Sequence, residues 1–125
     1  MSVKVEDSIL NSIKKLLGIT PDCTQFDIDI IMHINSAFNT LTEIGAGPDD
    51  GFEITDDSSV WSEFTEDNKL LNQVKTYIYK KVRLIFDPPQ SSWVADSMKN
   101  MIVEDEFRIS VIVDNNGGDI SNVVI

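Results

Sequence analysis

The chain has 125 residues, of which 42% are hydrophobic and 25% are charged, as in soluble globular domains and unlike disordered chains. A chain of this length supports one shared hydrophobic core and not two, so we expect a single folded unit. The formal net charge of -11 opposes general binding to DNA phosphates, and the single cysteine, Cys23, excludes an internal disulfide and a multi-thiolate metal site.

Two amphipathic helices are predicted in the first third of the chain. The first runs from about Glu6 to Leu17, with apolar residues at the i, i+4, i+7 and i+8 spacing that places them on one helical face. The second spans about Gln25 to Glu43, after a turn around Pro21. Its apolar stripe is so wide that it must be covered on more than one side, by its own chain or by a neighbouring subunit.

A long polar loop is predicted between residues 45 and 57. It is rich in turn-forming and acidic residues, and Phe52 and Ile54 alternate as they would in a short strand. The next segment, Ser58 to Phe64, has the spacing of one helical turn that lays aromatic side chains on the core. We therefore expect a tethered loop, of a length that is often functional.

The second half of the chain predicts two more helices and a tail. The third main helix starts near Glu66 or Asp67 and is stopped by Pro88 and Pro89, because proline lacks a backbone donor and clashes with the preceding turn. A fourth helix starts near Ser91 or Ser92. From residue 109 onward the residues are largely β-branched and are interrupted by a run rich in Asn and Gly, which predicts a hairpin or an extended arm.

The predicted fold is therefore mainly α: a small bundle of about four helices with a long tethered loop and a C-terminal β-hairpin or extended arm. We divide it into a helical domain, residues 1–108, and the arm, residues 109–125.

No set of convergent polar groups indicates an active site. His33 is the only histidine and has no metal-binding partner at a suitable spacing, and the acid pairs on loops are typical of solvated surface. We expect no enzymatic activity, no cofactor and no metal. The alternative function is a small helical DNA-binding regulator, with the third helix as recognition helix because it carries five of the ten basic residues. The overall charge counts against it.

Several stretches, taken in their order and spacing, resemble the head-tail connector, or adaptor, proteins of siphophages and Gram-positive prophages. They lie between Ser8 and Arg108 and comprise Ile9 to Ile19, Phe26-Asp27 with Ile34 to Phe38, Gly45 to Pro48 with Gly51-Phe52, Trp61 with Phe64, Tyr77 to Pro89, Ser91-Ser92 and Glu106 to Arg108.

The resemblance implies a structural virion protein that forms a ring under the portal protein, matching its twelve-fold symmetry. Such a ring extends the DNA channel, lets DNA pass without specific binding, and joins the capsid to a downstream neck or tail completion protein. The expected location is the head-tail junction of the virion, after assembly in the cytoplasm of the bacterial host. No apolar run is long enough to span a bilayer and the N-terminal residues lack the order of a signal peptide, so no membrane partner is expected.

Three sets of residues are predicted to serve this role. The subunit interface places Lys69, Lys80 and Arg83 of the third helix against the loop acids Asp56 and Asp57. The loop that faces the channel or the next ring presents Asp49, Asp50 and Phe52. The arm that docks on the portal uses Ile109, Val111, Val113, Val123 and Ile125, through strand addition. These basic residues of the third helix could pair with acids of a neighbouring subunit or of their own subunit, and we weigh the two equally. Exposed ion pairs contribute only about 0–1 kcal/mol each, so they do not decide between the two.

Overall fold

The computed structural model describes residues 7–117, which are mainly helical and contain no strand. Within these residues five helices follow one another: α1 (Ile9–Leu16), α2 (Asp27–Ile44), α3 (Trp61–Phe64), α4 (Asn68–Phe86) and α5 (Ser92–Gly117). The predicted mainly α architecture is confirmed. The short segment α3 and the four longer helices all lie where the sequence pattern places them, but α5 extends further than expected.

Local chemistry sets the helix ends. The hydroxyl oxygen of Ser8 accepts a hydrogen bond from the backbone N–H of Asn11 at 3.2 Å and caps α1. The carboxylate of Asp67 caps α4 in the same way, accepting from the N–H groups two and three residues further on. Gly45 ends α2 with a φ of +101°, a left-handed conformation that glycine adopts without strain. The Pro88-Pro89 pair follows directly on the end of α4, as predicted.

Helix α4 occupies the middle of the bundle. Both α2 and α5 pack on it, and α1 lies against α2 and α4. The core is built from the apolar stripes of these four helices and from the aromatic residues of α3. Its fully buried side chains include Ile9, Leu10, Ile13, Ile30, Ile34, Phe38, Leu41, Val74, Tyr77, Ile78, Val82 and Ile109. Most residues of the predicted stripes therefore face the core, whereas Leu16, Ile85, Val94 and Met101 from the same stripes are exposed.

The predicted β-hairpin at the C-terminus is wrong for residues 109–117, which continue α5. Ile109 is fully buried two helical turns after Ile102, on the same side of α5, so the helix keeps its packing face. This tertiary packing outweighs the modest preference of β-branched residues for strands. The second predicted strand, from residue 120 onward, lies outside the described residues.

Candidate assembly surfaces

The loop between α2 and α3 is anchored by an aromatic cluster around Phe38. The ring centroid of Phe38 lies 4.9 Å from that of Phe52, 5.0 Å from that of Phe64 and 6.5 Å from that of Trp61. The Phe38 and Phe52 rings meet edge to face, a favourable arrangement for aromatic pairs. The expected tethering of the loop is thus achieved through Phe52 within the loop and through the aromatic residues of α3 that follow it.

A side chain of α2 fixes the middle of the same loop. The amide of Asn35 donates to the carbonyl oxygen of Ile54 at 2.9 Å and accepts from its backbone N–H at 2.8 Å. The predicted short strand around Ile54 is absent from the described residues, because this amide takes the place of a neighbouring strand. Further along, the backbone N–H of Ile9 donates to the carbonyl of Ser59 and that of Trp61 donates to Asp7, which ties the loop end to the start of α1.

The acids of the loop are exposed, whereas its predicted aromatic contact residue is not. Asp49, Asp50, Asp56 and Asp57 lie at the surface, and Phe52 is half-buried in the cluster around Phe38. Hydrogen bonds from the hydroxyl and backbone N–H of Ser58 lower the pKa of Asp56, which keeps its carboxylate charged. The loop therefore presents fixed negative charges on a rigid backbone.

The predicted basic residues of α4 have different environments. Lys80 forms an ion pair with Asp105 of α5 at 2.8 Å, and both side chains are largely buried. Arg83 donates to the hydroxyl of Tyr79 at 2.9 Å and, more weakly, to the carbonyl of Asp87 at 3.4 Å. Lys69 is exposed near the start of α4. Lys80 thus joins α4 to α5 within one chain, while Lys69 and part of Arg83 remain at the surface.

A second polar contact lies beside the Lys80 pair. The hydroxyl of Tyr77 donates to Glu106 of α5 at 2.8 Å. Burial raises the pKa of Tyr77 well above its usual value, and the neighbouring carboxylate of Glu106 raises it further. Together the two contacts fix the rotation of α5 on α4, because a polar group that loses its partner in a buried seam costs about 1–3 kcal/mol.

The predicted arm residues fall partly in the bundle. Ile109 belongs to the core, Val113 is half-buried and Val111 is exposed on α5. Val123 and Ile125 lie outside the described residues. Strand addition through residues 109–113 conflicts with the structure, since their backbone belongs to α5.

The fold and these surfaces can be compared with known proteins. The family model for phage connector proteins matches residues 9–116, which is most of the chain. The chain belongs to the phage connector protein family. No curated protein and no solved structure matches it at a significant level. The family assignment confirms the resemblance drawn from the sequence and makes this a structural protein of a phage.

Within residues 7–117, the connector also exposes apolar side chains on α2 and on α5. Ile28 and Met32 lie exposed on α2, and Val103 and Phe107 lie exposed on α5. The excess apolar width of α2 was visible in the sequence and predicted a second covered side. The exposed apolar face of α5 was not identified from the sequence. Apolar residues on all sides of a helix are the signal that would have indicated a second covered face.

One buried ion pair was also missed. Lys14 of α1 has only 1% of its side chain exposed and lies 2.8 Å from the carboxylate of Asp27 at the start of α2. Its ammonium group also donates to the carbonyl of Pro21 at 3.1 Å. These bonds hold the turn between α1 and α2 closed.

Within residues 7–117 of the connector, no group of three or more metal-binding side chains comes together. In the same part of the chain, no helix combines the length and the apolar character that crossing a membrane requires.

Proposed function

We propose that this connector assembles into a ring beneath the portal, with the portal's twelve-fold symmetry, extends the DNA channel, and joins the capsid to a downstream neck or tail completion protein. The observation that carries the proposal is the loop between α2 and α3, which holds four exposed aspartates on a backbone fixed by Phe38 and Asn35. A fixed acidic surface repels DNA phosphates over about 8–10 Å at moderate salt. DNA can then pass along the channel without being held.

The proposed contact between neighbouring subunits is electrostatic in part. Lys69 and Arg83 of one copy meet the acidic loop of the next, while Lys80, already paired with Asp105, holds α5 beside this contact. Lys69 and Arg83 are about 21 Å apart along α4, from a rise of 1.5 Å per residue. Asp56 and Asp57, which are adjacent in the chain, can therefore reach only one of these two basic residues. For both Lys69 and Arg83 to contact the acidic loop, the loop must lie along α4.

Charge reversal tests this contact. Lys69→Glu is expected to weaken ring formation about tenfold while leaving the monomer folded, and a copy carrying Asp56→Lys and Asp57→Lys is expected to restore assembly when mixed with it. Lys15→Glu, an equal change of charge at an exposed position of α1, serves as the control. Native mass spectrometry, with and without the portal protein, gives the number of copies. Equal loss for both lysine variants would contradict the contact.

Binding to random duplex DNA separates the connector from the DNA-binding regulator. A connector with this surface should give no shift in a gel at low salt, where electrostatic binding is strongest. A shift that disappears as salt is added would instead support the alternative, a small helical DNA-binding regulator of phage origin.

The portal contact is assigned to the end of the chain. In this proposal Val111 and Val113 on the last turns of α5, together with Val123 and Ile125 beyond them, contact the portal. The appropriate deletion removes residues 118–125 alone, because removing Ile109 as well would open the core. Full portal binding by the shortened chain would refute this contact.

A further inference from the structure

A groove lies at the end of the bundle where α4 begins. It has a volume of about 430 Å³ and runs between the end of α2, the end of α3, the first turn of α4 and the last turns of α5. Pro48, Phe64, Leu70 and Val113 supply apolar lining, and the surface of the groove is more apolar than polar. A concave surface with such a lining is suited to apolar side chains.

The register of α5 on α4 brings the end of α5 to this groove. The two helices are antiparallel, because the polar contact that lies earlier in α4 lies later in α5. Helix α4 begins twelve residues before Lys80, and α5 ends twelve residues after its partner Asp105. Each distance is about 18 Å at a rise of 1.5 Å per residue. The chain therefore leaves α5 level with the first turn of α4, beside the groove that Val113 lines.

The eight residues that follow have a composition that suits the groove. This C-terminal segment, residues 118–125, lies outside the described residues, and half of its side chains are aliphatic: Ile120, Val123, Val124 and Ile125. It is preceded by Gly117 and begins with Gly118, and glycine accepts the backbone angles of a tight turn. Eight extended residues span at most about 26–29 Å, which is enough to turn back and cross the groove.

Attachment to α5 favours the groove of the same chain. A segment tied next to a site by a short flexible link meets it at an effective concentration in the millimolar range. The same segment of another copy lacks this advantage at ordinary protein concentrations. A second depression, beside Asn39, Asp50 and Glu53, presents mainly polar surface and offers aliphatic side chains little to pack on.

We infer that the C-terminal segment turns back at the end of α5 and docks in this groove of its own chain, with its aliphatic side chains against Phe64, Leu70 and Val113. The register of the two helices places the segment at the groove, and the chemistry of the two agrees.

Docking also bears on the proposed contact with the portal. That contact uses Val123 and Ile125, so the groove and the portal compete for the same side chains. A free copy then covers an aliphatic segment that would otherwise be open to unspecific association, and the portal must displace it. This consequence rests on the proposed function, whereas the docking itself does not.

Paired cysteines within one chain test the docking. In a Cys23→Ser background, Thr65→Cys or Val113→Cys in the groove is combined with a cysteine at position 120, 123 or 125 and oxidised with glutathione disulfide. A disulfide forms only when the two Cα atoms approach within about 7 Å. Asp114→Cys is the matched control, because Asp114 is exposed and adjacent to Val113 but does not line the groove. Circular dichroism of each reduced variant checks that the helices are intact.

The expected result is an internal disulfide that forms at least tenfold faster from both groove positions than from Asp114→Cys. Equal rates at positions 113 and 114 would overturn the inference, since a segment that visits both alike is not docked. Disulfides between chains of different mass, as the main product from an equal mixture, would overturn it too, because the segment would then occupy the groove of another copy.

Portal binding separates the docking from the proposed function. A chain locked by the internal disulfide should bind the portal protein at least tenfold more weakly than the same chain after reduction. Unchanged binding by the locked chain would refute the assignment of Val123 and Ile125 to the portal and leave the docking standing. Portal binding without any internal disulfide would refute the docking alone.

Discussion

The buried pair between Lys14 and Asp27 gives a sharp prediction about stability. Replacing Asp27 with Asn leaves the Lys14 ammonium group, which is 1% exposed, with the carbonyl of Pro21 as its neighbouring acceptor. Removing one partner of a buried ion pair costs about 3–5 kcal/mol. The lower end applies here, because 24% of the Asp27 side chain is exposed and the new amide oxygen can still accept a bond. We expect a loss of about 3 kcal/mol.

Two further variants isolate the cause. Lys14→Met should cost less than Asp27→Asn, since it removes the buried ammonium group and leaves a carboxylate on a side chain that is 24% exposed. Asp29→Asn, in the same first turn of α2, measures the favourable interaction of an acid with the helix N-terminus, about 0.3–1 kcal/mol.

Thermal unfolding followed by circular dichroism measures all three variants. For a domain of this size each kcal/mol shifts Tm by about 4 °C, so Asp27→Asn should lower it by about 12 °C. A shift below about 4 °C, or an equal loss for Lys14→Met, would refute the assignment of a buried, paired ammonium group.

Two other predictions concern the loop and the seam between α4 and α5. Gly47 has a φ of +82°, and a Cβ added there would collide with the ring of Phe64, whereas Gly18 has a φ of +83° and open space around it. Alanine meets the same backbone strain at both positions, so only the collision with Phe64 distinguishes them. Gly47→Ala should therefore destabilise the fold by about 2 kcal/mol more than Gly18→Ala in urea titrations. Equal losses would show that the Phe64 ring can move aside. For Tyr77 the raised pKa means that the unfolded chain loses its phenolic proton near pH 10 while the folded chain keeps it. Stability should therefore fall as pH rises above 10, and Tyr77→Phe should remove that fall; an unchanged pH profile would contradict the buried hydrogen bond.

The sequence predicted the helices whose apolar residues follow one clear stripe. In α4, Leu70, Val74, Ile78 and Val82 recur at helical spacing, and the two prolines supply a stop that no tertiary contact can remove. The C-terminal part of α5 was predicted wrongly, because its local composition favours a strand while its packing favours a helix. Ile109 lies two helical turns after Ile102, on the side of α5 that α4 covers. This packing decides for the helix, and the local composition does not reveal it.

Contacts between residues that are far apart in the chain also could not be predicted from the sequence. The burial of Lys14 depends on Asp27, which the turn around Pro21 brings back against α1. The spacing of the basic residues left open whether Lys80 pairs with an acid of its own chain or with an acid of a neighbouring copy. The structure shows that Lys80 pairs with Asp105 of the same chain. The acidic loop was recognised from composition, but the bond between Asn35 and Ile54 that fixes it has no local signal.

The continuity of α5 restricts where the chain can change length. An α-helix turns by about 100° per residue, so inserting or deleting one residue near Asp105 would rotate everything that follows by that angle. Ile109 would leave the core, and Val103 would no longer share one side of the helix with Phe107 and Val111. Insertions and deletions are therefore expected in the loop between α2 and α3 or beyond residue 117. Within α5, a change of seven residues, close to two full turns, is the smallest that nearly preserves both sides.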